Sequence, residues 1–375
     1  MSNGYANLTP AMAQYMKIKE ANKDYLVFYR MGDFYELFFD DALVASKALD
    51  IALTKRGKAE GQNIPMCGVP FHAYENYMAR LIHQGYKVAI CEQMESPEEA
   101  RKRGAKSVVQ RDVIRLVTPG TLTEDNLLDA RKNNYLLCCN KINGSFGFAW
   151  LDLSTGDFFT KLNEVSGGQA AACLQSFLTK INPVEIIAPD SMMQTPDLFH
   201  ILNLYREKLT VLPQARFNAA SAKQSLEKML KVKTLDAFGN FSKPELAAAG
   251  TILDYVENTQ KGKMPRIKKP IKISDAQCME IDNATRNSLE IFESVNGDKK
   301  NSLLGTIDRT ITGAGARLLA YRLNNPSLDI NEINRRLDLA DFFINIPEIR
   351  TELREYFRDF ADLERAVSRL SLGRG

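Results

Sequence analysis

The run Phe28-Tyr29-Arg30-Met31-Gly32-Asp33-Phe34-Tyr35-Glu36-Leu37-Phe38 constrains this chain more than any other segment. It is too densely apolar for a solvated loop, and its one glycine permits a sharp reversal between two apolar halves. The spacing predicts a strand over residues 25–30, a turn at Gly32 and a helix with Asp33 as N-cap. Glu36, three residues on, completes the acid-capped form of a capping box. Tyr35, Phe38, Ala42, Ala45 and Leu49 recur at helical spacing as the buried stripe, with Glu36 off it and Phe34 at its edge. A ring held at an exposed helix start has the shape to enter a base stack. A carboxylate two residues later has the chemistry to hydrogen-bond a base edge. The spacing alone favours the plainer description, a helix start with a flanking aromatic.

The surrounding motifs shift that balance. FYRMGDFYELFFDDA is followed by LDIALTKRG at residues 49–57, IPMCGVPFHA at 64–73, VAICEQ at 88–93, VIRLVTPGT at 113–121 and SLLGTIDRTITGAGARLLAYRL at 302–323. In this order they resemble successive segments of the MutS family of DNA mismatch repair proteins. The departures are small: Phe71 stands where Tyr is common, and Ala314 and Tyr321 where Met and Trp are usual. The resemblance implies that Phe34 stacks on a mispaired base, that Glu36 hydrogen-bonds to it, and that mismatched duplex DNA is the ligand. It further implies that the full-length family protein is a homodimer, uses ATP and Mg2+, and signals to a MutL-type partner.

Alternating strand and helix patterns describe an α/β amino-terminal domain with a mixed sheet over residues 1–120. It opens on a Thr9-Pro10 helix start and includes a short strand near 50–54, a glycine-rich turn over 57–61, a helix near 72–84 stopped by Gly85, and strands near 86–92 and 108–117. Residues 121–250 read as strands at 135–140, 146–153 and 157–162, a helix near 169–180, and a strand at 184–188. By resemblance this is the family's connector, an α/β domain with a ribonuclease-H-like fold. From about residue 217 strand signals fade, and Ser242 with Glu245 forms a capping box. A basic Pro/Gly linker over 261–270 leads into the start of an all-α core segment, so that 251–375 forms a truncated helical core and lever domain.

A formal charge of +3 on 375 residues is too small to indicate a polyanion partner, so any DNA contact has to come from local patches. Lys55, Arg56 and Lys58 flank Gly57 in a turn suited to phosphate contacts. Arg101, Lys102, Arg103, Lys106, Arg111 and Arg115 form a second basic run, partly offset by Glu95, Glu98 and Glu99. Met66 is a candidate minor-groove contact, although a methionine beside an apolar strand is more often core. Six cysteines without C-x-x-C spacing and three histidines indicate neither a metal site nor a disulfide framework, and His72 reads as a cap or packing residue. With no secretory signal and no apolar run long enough for a bilayer, the expectation is a cytoplasmic protein without membrane association.

No G-x-x-x-x-G-K-[ST] occurs, and Gly57 to Gly61 and Gly313-Ala314-Gly315 lack the lysine of a phosphate-binding loop. The chain is therefore expected to lack the family's ATPase and clamp domains, to need no cofactor of its own, and not to be an enzyme. Two alternatives accompany this expectation. One is a magnesium-dependent nuclease of ribonuclease-H-like type using Asp152, for which Asp157 and Asp190 supply no clear further ligand positions. The other is a truncated fragment that docks partners without mismatch preference.

Overall fold

The computed structural model describes residues 8–59, 61–104, 107–166, 168–274 and 278–373. They divide into two compact units: residues 1–121 with 255–264, and residues 122–254 with 265–375.

The first unit begins with helix α1, Pro10–Ala21, whose N-cap Thr9 accepts from the Met12 amide and whose first residue is the proline foreseen there. Strands β1 (Leu26–Met31) and β2 (Phe34–Phe38), helix α2 (Phe39–Leu49), strands β3 (Thr54–Ala59) and β4 (Gln62–Pro70), helix α3 (Tyr74–His83), strand β5 (Val88–Gln93), helix α4 (Pro97–Lys102) and strand β6 (Arg111–Val117) follow. The strands form one sheet in the order β3-β4-β2-β1-β5-β6. Only β1 and β5 run parallel; the other neighbours are antiparallel, so the sheet is mixed as expected.

The decisive departure from the sequence reading lies at residues 33–38, where a strand replaces the first turn of the expected helix. Met31 pairs with Phe34 and Tyr29 with Glu36, so β1 and β2 form a hairpin closed by Gly32 and Asp33 alone. Gly32 has φ +59, the sense a type II′ hairpin turn demands at its first central residue. Asp33 is thus a turn residue and caps no helix; α2 begins only at Phe39. Local helical spacing lost to sheet pairing because β2 lies between β1 and β4 and its backbone is hydrogen-bonded on both sides. All five residues of the expected stripe are nonetheless buried. Asp50, placed in a strand by the sequence reading, is instead the left-handed C-cap of α2. Gly57 lies inside β3, where the register slips between Lys55 and Lys58.

Alternation along β2 assigns its side chains to two faces. On one, Phe38 joins Val27, Tyr29, Ile64 and Cys91 beneath Met12 and Tyr15 of α1. On the other, Tyr35 and Leu37 turn towards the side of the sheet that holds Phe28. Tyr15 donates to the Asp41 carboxylate at 3.0 Å, and Asp41 also accepts from the Val27 amide at 2.9 Å and pairs with Lys19. This buried acid with full partnership ties α1, β1 and α2 together.

The second unit opens with an antiparallel meander, β7 (Tyr135–Ile142), β8 (Ser145–Asp152) and β9 (Asp157–Glu164), then helix α5 (Ala170–Ile181) and strand β10 (Glu185–Pro189), parallel to β7. Short helix α6 (Asp190–Met193), helix α7 (Pro196–Leu204) and strand β11 (Leu209–Leu212) extend the sheet, which runs β11-β10-β7-β8-β9-β12 with the two-residue β12 at Ile271–Lys272. The order strand, strand, strand, helix, strand is the one expected; β11 and β12 are additions that the sequence reading left out, both too short for a periodic signal. Helices α8 (Ala219–Leu230) and α9 (Lys243–Thr259) come next, α9 opening on the Ser242 and Glu245 box, with the Ser242 amide 2.9 Å from the Glu245 carboxylate. Beyond β12 the described elements are helices: α10 (Asn283–Ser288), α11 (Leu303–Ile307), α12 (Gly313–Asn324), α13 (Ile330–Asn345), α14 (Pro347–Tyr356) and α15 (Leu363–Ser371). Arg317 of α12 pairs with Asp362 at 2.6 Å and donates to the Ala130 carbonyl, while the fully buried Arg365 donates to the carbonyls of Asp129 and Lys132. Among the described residues no helix is long and apolar enough to cross a membrane.

Candidate nucleic-acid interface

Phe34 is the first residue of β2 and follows directly from the hairpin turn. The residue is 47% exposed, whereas Tyr35, Leu37 and Phe38 are fully buried. A large apolar ring is thus left in water at the end of a strand whose other members are buried. The tip is also braced from the opposite face. Tyr35 donates to the Glu92 carboxylate, Arg30 pairs with that same carboxylate at 3.8 Å, and the Arg30 guanidinium lies 3.3 Å from the centre of the Phe71 ring. The Phe71 amide donates to the Asp33 carbonyl at 2.8 Å, fastening the turn to the end of β4. Sequence reasoning missed this bracing group, because Arg30, Phe71 and Glu92 come from three separate motifs. Simple alternation over residues 28–38 puts Arg30 with Phe34 and Glu36; only the pairing of Arg30 with Tyr35 across the two-residue turn carries it to the opposite face.

Glu36 shares the face of Phe34 but lies deeper, at 9% exposure. Gly68 stands opposite it in the ladder, and a Cβ built there would lie 3.6 Å from Glu36 Cγ and 3.9 Å from Phe34 Cδ1. Glycine therefore leaves open the surface beside both side chains. Arg56 Nη1 donates to both carboxylate oxygens, at 2.5 Å to Oε1 and closer still to Oε2. Burial raises the Glu36 carboxyl above its ordinary value, and Arg56 and then Arg111 oppose that rise without cancelling it. The face thus presents an exposed aromatic beside a poorly hydrated acid whose charge is matched by one arginine.

The remaining candidates occupy different settings. Lys55 and Arg56 are exposed on β3. Two residues, Arg56 and Gly57, stand against Ile64 between the pairs Lys55 with Pro65 and Lys58 with Asn63. This is a bulge, a feature that re-aims side chains, and it turns Arg56 onto Glu36. Met66 pairs with Phe38 and packs at the edge of the α1-covered core, so the structure makes it a packing residue with partial exposure. Arg111 is held in place: its Nε donates to the Arg30 carbonyl at 2.7 Å, and its guanidinium lies 4.8 Å from the Tyr29 ring centre. Of the other basic run, Arg103 pairs with Glu95, Arg115 is buried, Arg101 and Lys102 are exposed on α4, and Lys106 lies outside the described residues.

Asp152 is fully buried, and its carboxylate accepts from the Asn134 amide at 2.9 Å and from the Ser154 amide and hydroxyl at 3.0 and 2.6 Å. Asp157 pairs with Lys268 and Asp190 accepts from the Gln214 amide. Among the described residues no cluster of three or more His, Cys, Asp or Glu side chains is placed to hold a metal. The glycine-rich stretches take two different settings. Gly57 lies within a strand, and a Cβ at Gly313 would fall 2.5 Å from the Ala130 carbonyl oxygen, so the glycine there serves close packing.

Models of MutS domain I, MutS domain II and MutS domain III match residues 9–126, 134–268 and 284–375 respectively. Several proteins named DNA mismatch repair protein MutS are similar over almost the whole chain. That of Ruegeria pomeroyi is 49% identical over 368 residues, covering 98% of this chain and 41% of its own length. The corresponding figures are 47% over 371 residues, 98% and 40% for Rhizobium meliloti, and 45% over 367 residues, 98% and 42% for Wolbachia pipientis wMel. The chain therefore spans about two fifths of the length of these curated relatives.

Proposed function

The chain belongs to the MutS family, with domains I, II and III in order, and on that premise we propose that it reads mispaired or unpaired bases in duplex DNA for mismatch repair. The observation that carries this reading is the exposed Phe34 ring at the tip of a braced hairpin, with Glu36 two residues behind it on the same face.

Phe34 enters the stack as a wedge. Unstacking a base step costs a few kcal/mol, least where pairing is already faulty, so the wedge selects deformable sites and needs no base code. The bracing by Tyr35, Glu92, Arg30 and Phe71 keeps the ring from folding back, which preserves the energy available for kinking the duplex. Glu36 then hydrogen-bonds the exposed edge of the mispaired base. Lys55 lies beside the duplex and contributes sequence-independent attraction to phosphate, while Arg56 is held against Glu36. Arg111 orients β1 through the Arg30 carbonyl and acts on DNA only through its field.

ATP and Mg2+ chemistry, homodimerisation and transfer to a MutL-type partner are proposed for the family protein at full length. The nuclease alternative is not favoured, because the Asp152 oxygens are engaged by Asn134 and Ser154. Competition binding tests the reading: a duplex with one G·T pair and its fully paired counterpart are titrated against the parent and Phe34→Ala. The parent is expected to prefer the G·T duplex and Phe34→Ala to bind both alike. Equal binding of both duplexes by the parent would refute it.

A further inference from the structure

The ion pair between Arg56 and Glu36 is asymmetric in a way that a plain structural pair would not require. The Glu36 side chain is 12% exposed and fixed on a strand hydrogen-bonded on both sides, whereas the Arg56 side chain is 44% exposed and springs from the β3 bulge. One partner is nearly buried on a doubly paired strand and the other is at the surface on an irregular stretch. Both carboxylate oxygens are satisfied by a single nitrogen of the arginine, so one side-chain rotation uncovers the whole acid.

We propose that Arg56 is a specificity-determining mask on Glu36: it neutralises the carboxylate while the duplex docks and gives way only when an unstacked base edge takes its place. The proposal rests on the reading of Phe34 and Glu36 given above. A duplex carries about one phosphate charge per 1.7 Å of axis, and a bare carboxylate pressed against it while losing water is strongly unfavourable. Glu36 sits two residues from the ring that has to approach closest, so unmasked it would repel every duplex, paired or mispaired. With Arg56 in place that repulsion is removed. A stacked, paired base cannot reach the buried acid, and the pair stays shut. An unstacked base can reach it and compete with the guanidinium, so the hydrogen bond forms only at a faulty site. Arg56 thus acts through Glu36, which distinguishes it from Lys55 as a simple phosphate attractor.

A double-mutant cycle on duplex affinity separates these roles, using the full chain as parent, Arg56→Met, Glu36→Gln and the double variant. On fully paired duplex, Arg56→Met is expected to weaken binding strongly in the parent background and by about fivefold less in the Glu36→Gln background, where there is no charge to mask. Arg56→Lys, which keeps the positive charge, is expected to retain most of the parent affinity and guards against a folding defect in Arg56→Met. An equal factor in both backgrounds, including no measurable effect in either, marks a phosphate contact alone and overturns the proposal. The G·T preference of the parent over Phe34→Ala is measured in the same titrations. Its loss condemns the mismatch reading, while the coupling on paired duplex remains a separate result.

Discussion

Met31 pairs directly with Phe34 across a two-residue turn, and this register sets Phe34 at the hairpin tip with Glu36 behind it on the same face. A slip by one residue would carry Phe34 and Glu36 to the face that holds Tyr35 and Leu37, since strand side chains alternate faces. The hairpin tip is therefore the structural element on which the proposed activity depends.

Removing the Phe34 ring should separate stability from recognition. The ring is half in water, so Phe34→Ala is expected to change unfolding free energy by less than about 1 kcal/mol in urea titrations. A loss of several kcal/mol would make Phe34 a core residue.

Gly32 is predicted to be replaceable only with strain. A Cβ there would meet nothing within 4 Å, so the effect of Gly32→Ala comes from backbone conformation at φ +59 alone. The expected loss is about 1 kcal/mol, measured by chemical denaturation. An unchanged or higher stability would contradict the turn described.

Glu36 should leave a signature in the pH dependence of stability. Its folded-state carboxyl titrates above the ordinary 4.5, with burial the main cause and Arg56 and Arg111 opposing it. The folded protein therefore holds this proton more tightly than the unfolded chain does. The resulting stabilisation is fully present below the ordinary value and is lost as pH rises through the raised one. Relative to Glu36→Gln, the parent is expected to lose stability as pH is raised from about 4 to about 7 in thermal melts. A parent that gains over that range would show a lowered carboxyl.

Asp152 is predicted to be structural. Asp152→Ala leaves the buried Asn134 and Ser154 amides without their acceptor, a loss of about 3 kcal/mol in denaturant titrations. Parent and variant are both expected to leave duplex DNA intact in the presence of Mg2+. Cleavage by the parent that disappears in the variant would restore the nuclease alternative.

Much of the fold was legible because long apolar periodicities and caps are local properties. Thr9 with Pro10, the β7 to β9 meander and the Ser242 box each stand where the residues indicated. The element at Asp33 was misread because Gly-Asp followed by aromatics satisfies both a helix cap and a tight hairpin. The choice is made by pairing with β4, some thirty residues away in sequence. Phe34 was identifiable as a candidate only through its motif, and its exposure goes with its place at the hairpin tip. The Arg56 partnership with Glu36 was hidden for a further reason: it depends on a bulge, which inserts one residue and leaves no periodic trace.

The most direct test places 2-aminopurine next to a G·T pair and follows its fluorescence, which rises when the base leaves the stack, at saturating protein. The account predicts a rise with the parent and none with Phe34→Ala at equal saturation. The same rise with both proteins would show that the mispair is opened without the Phe34 ring, and the central claim would fall.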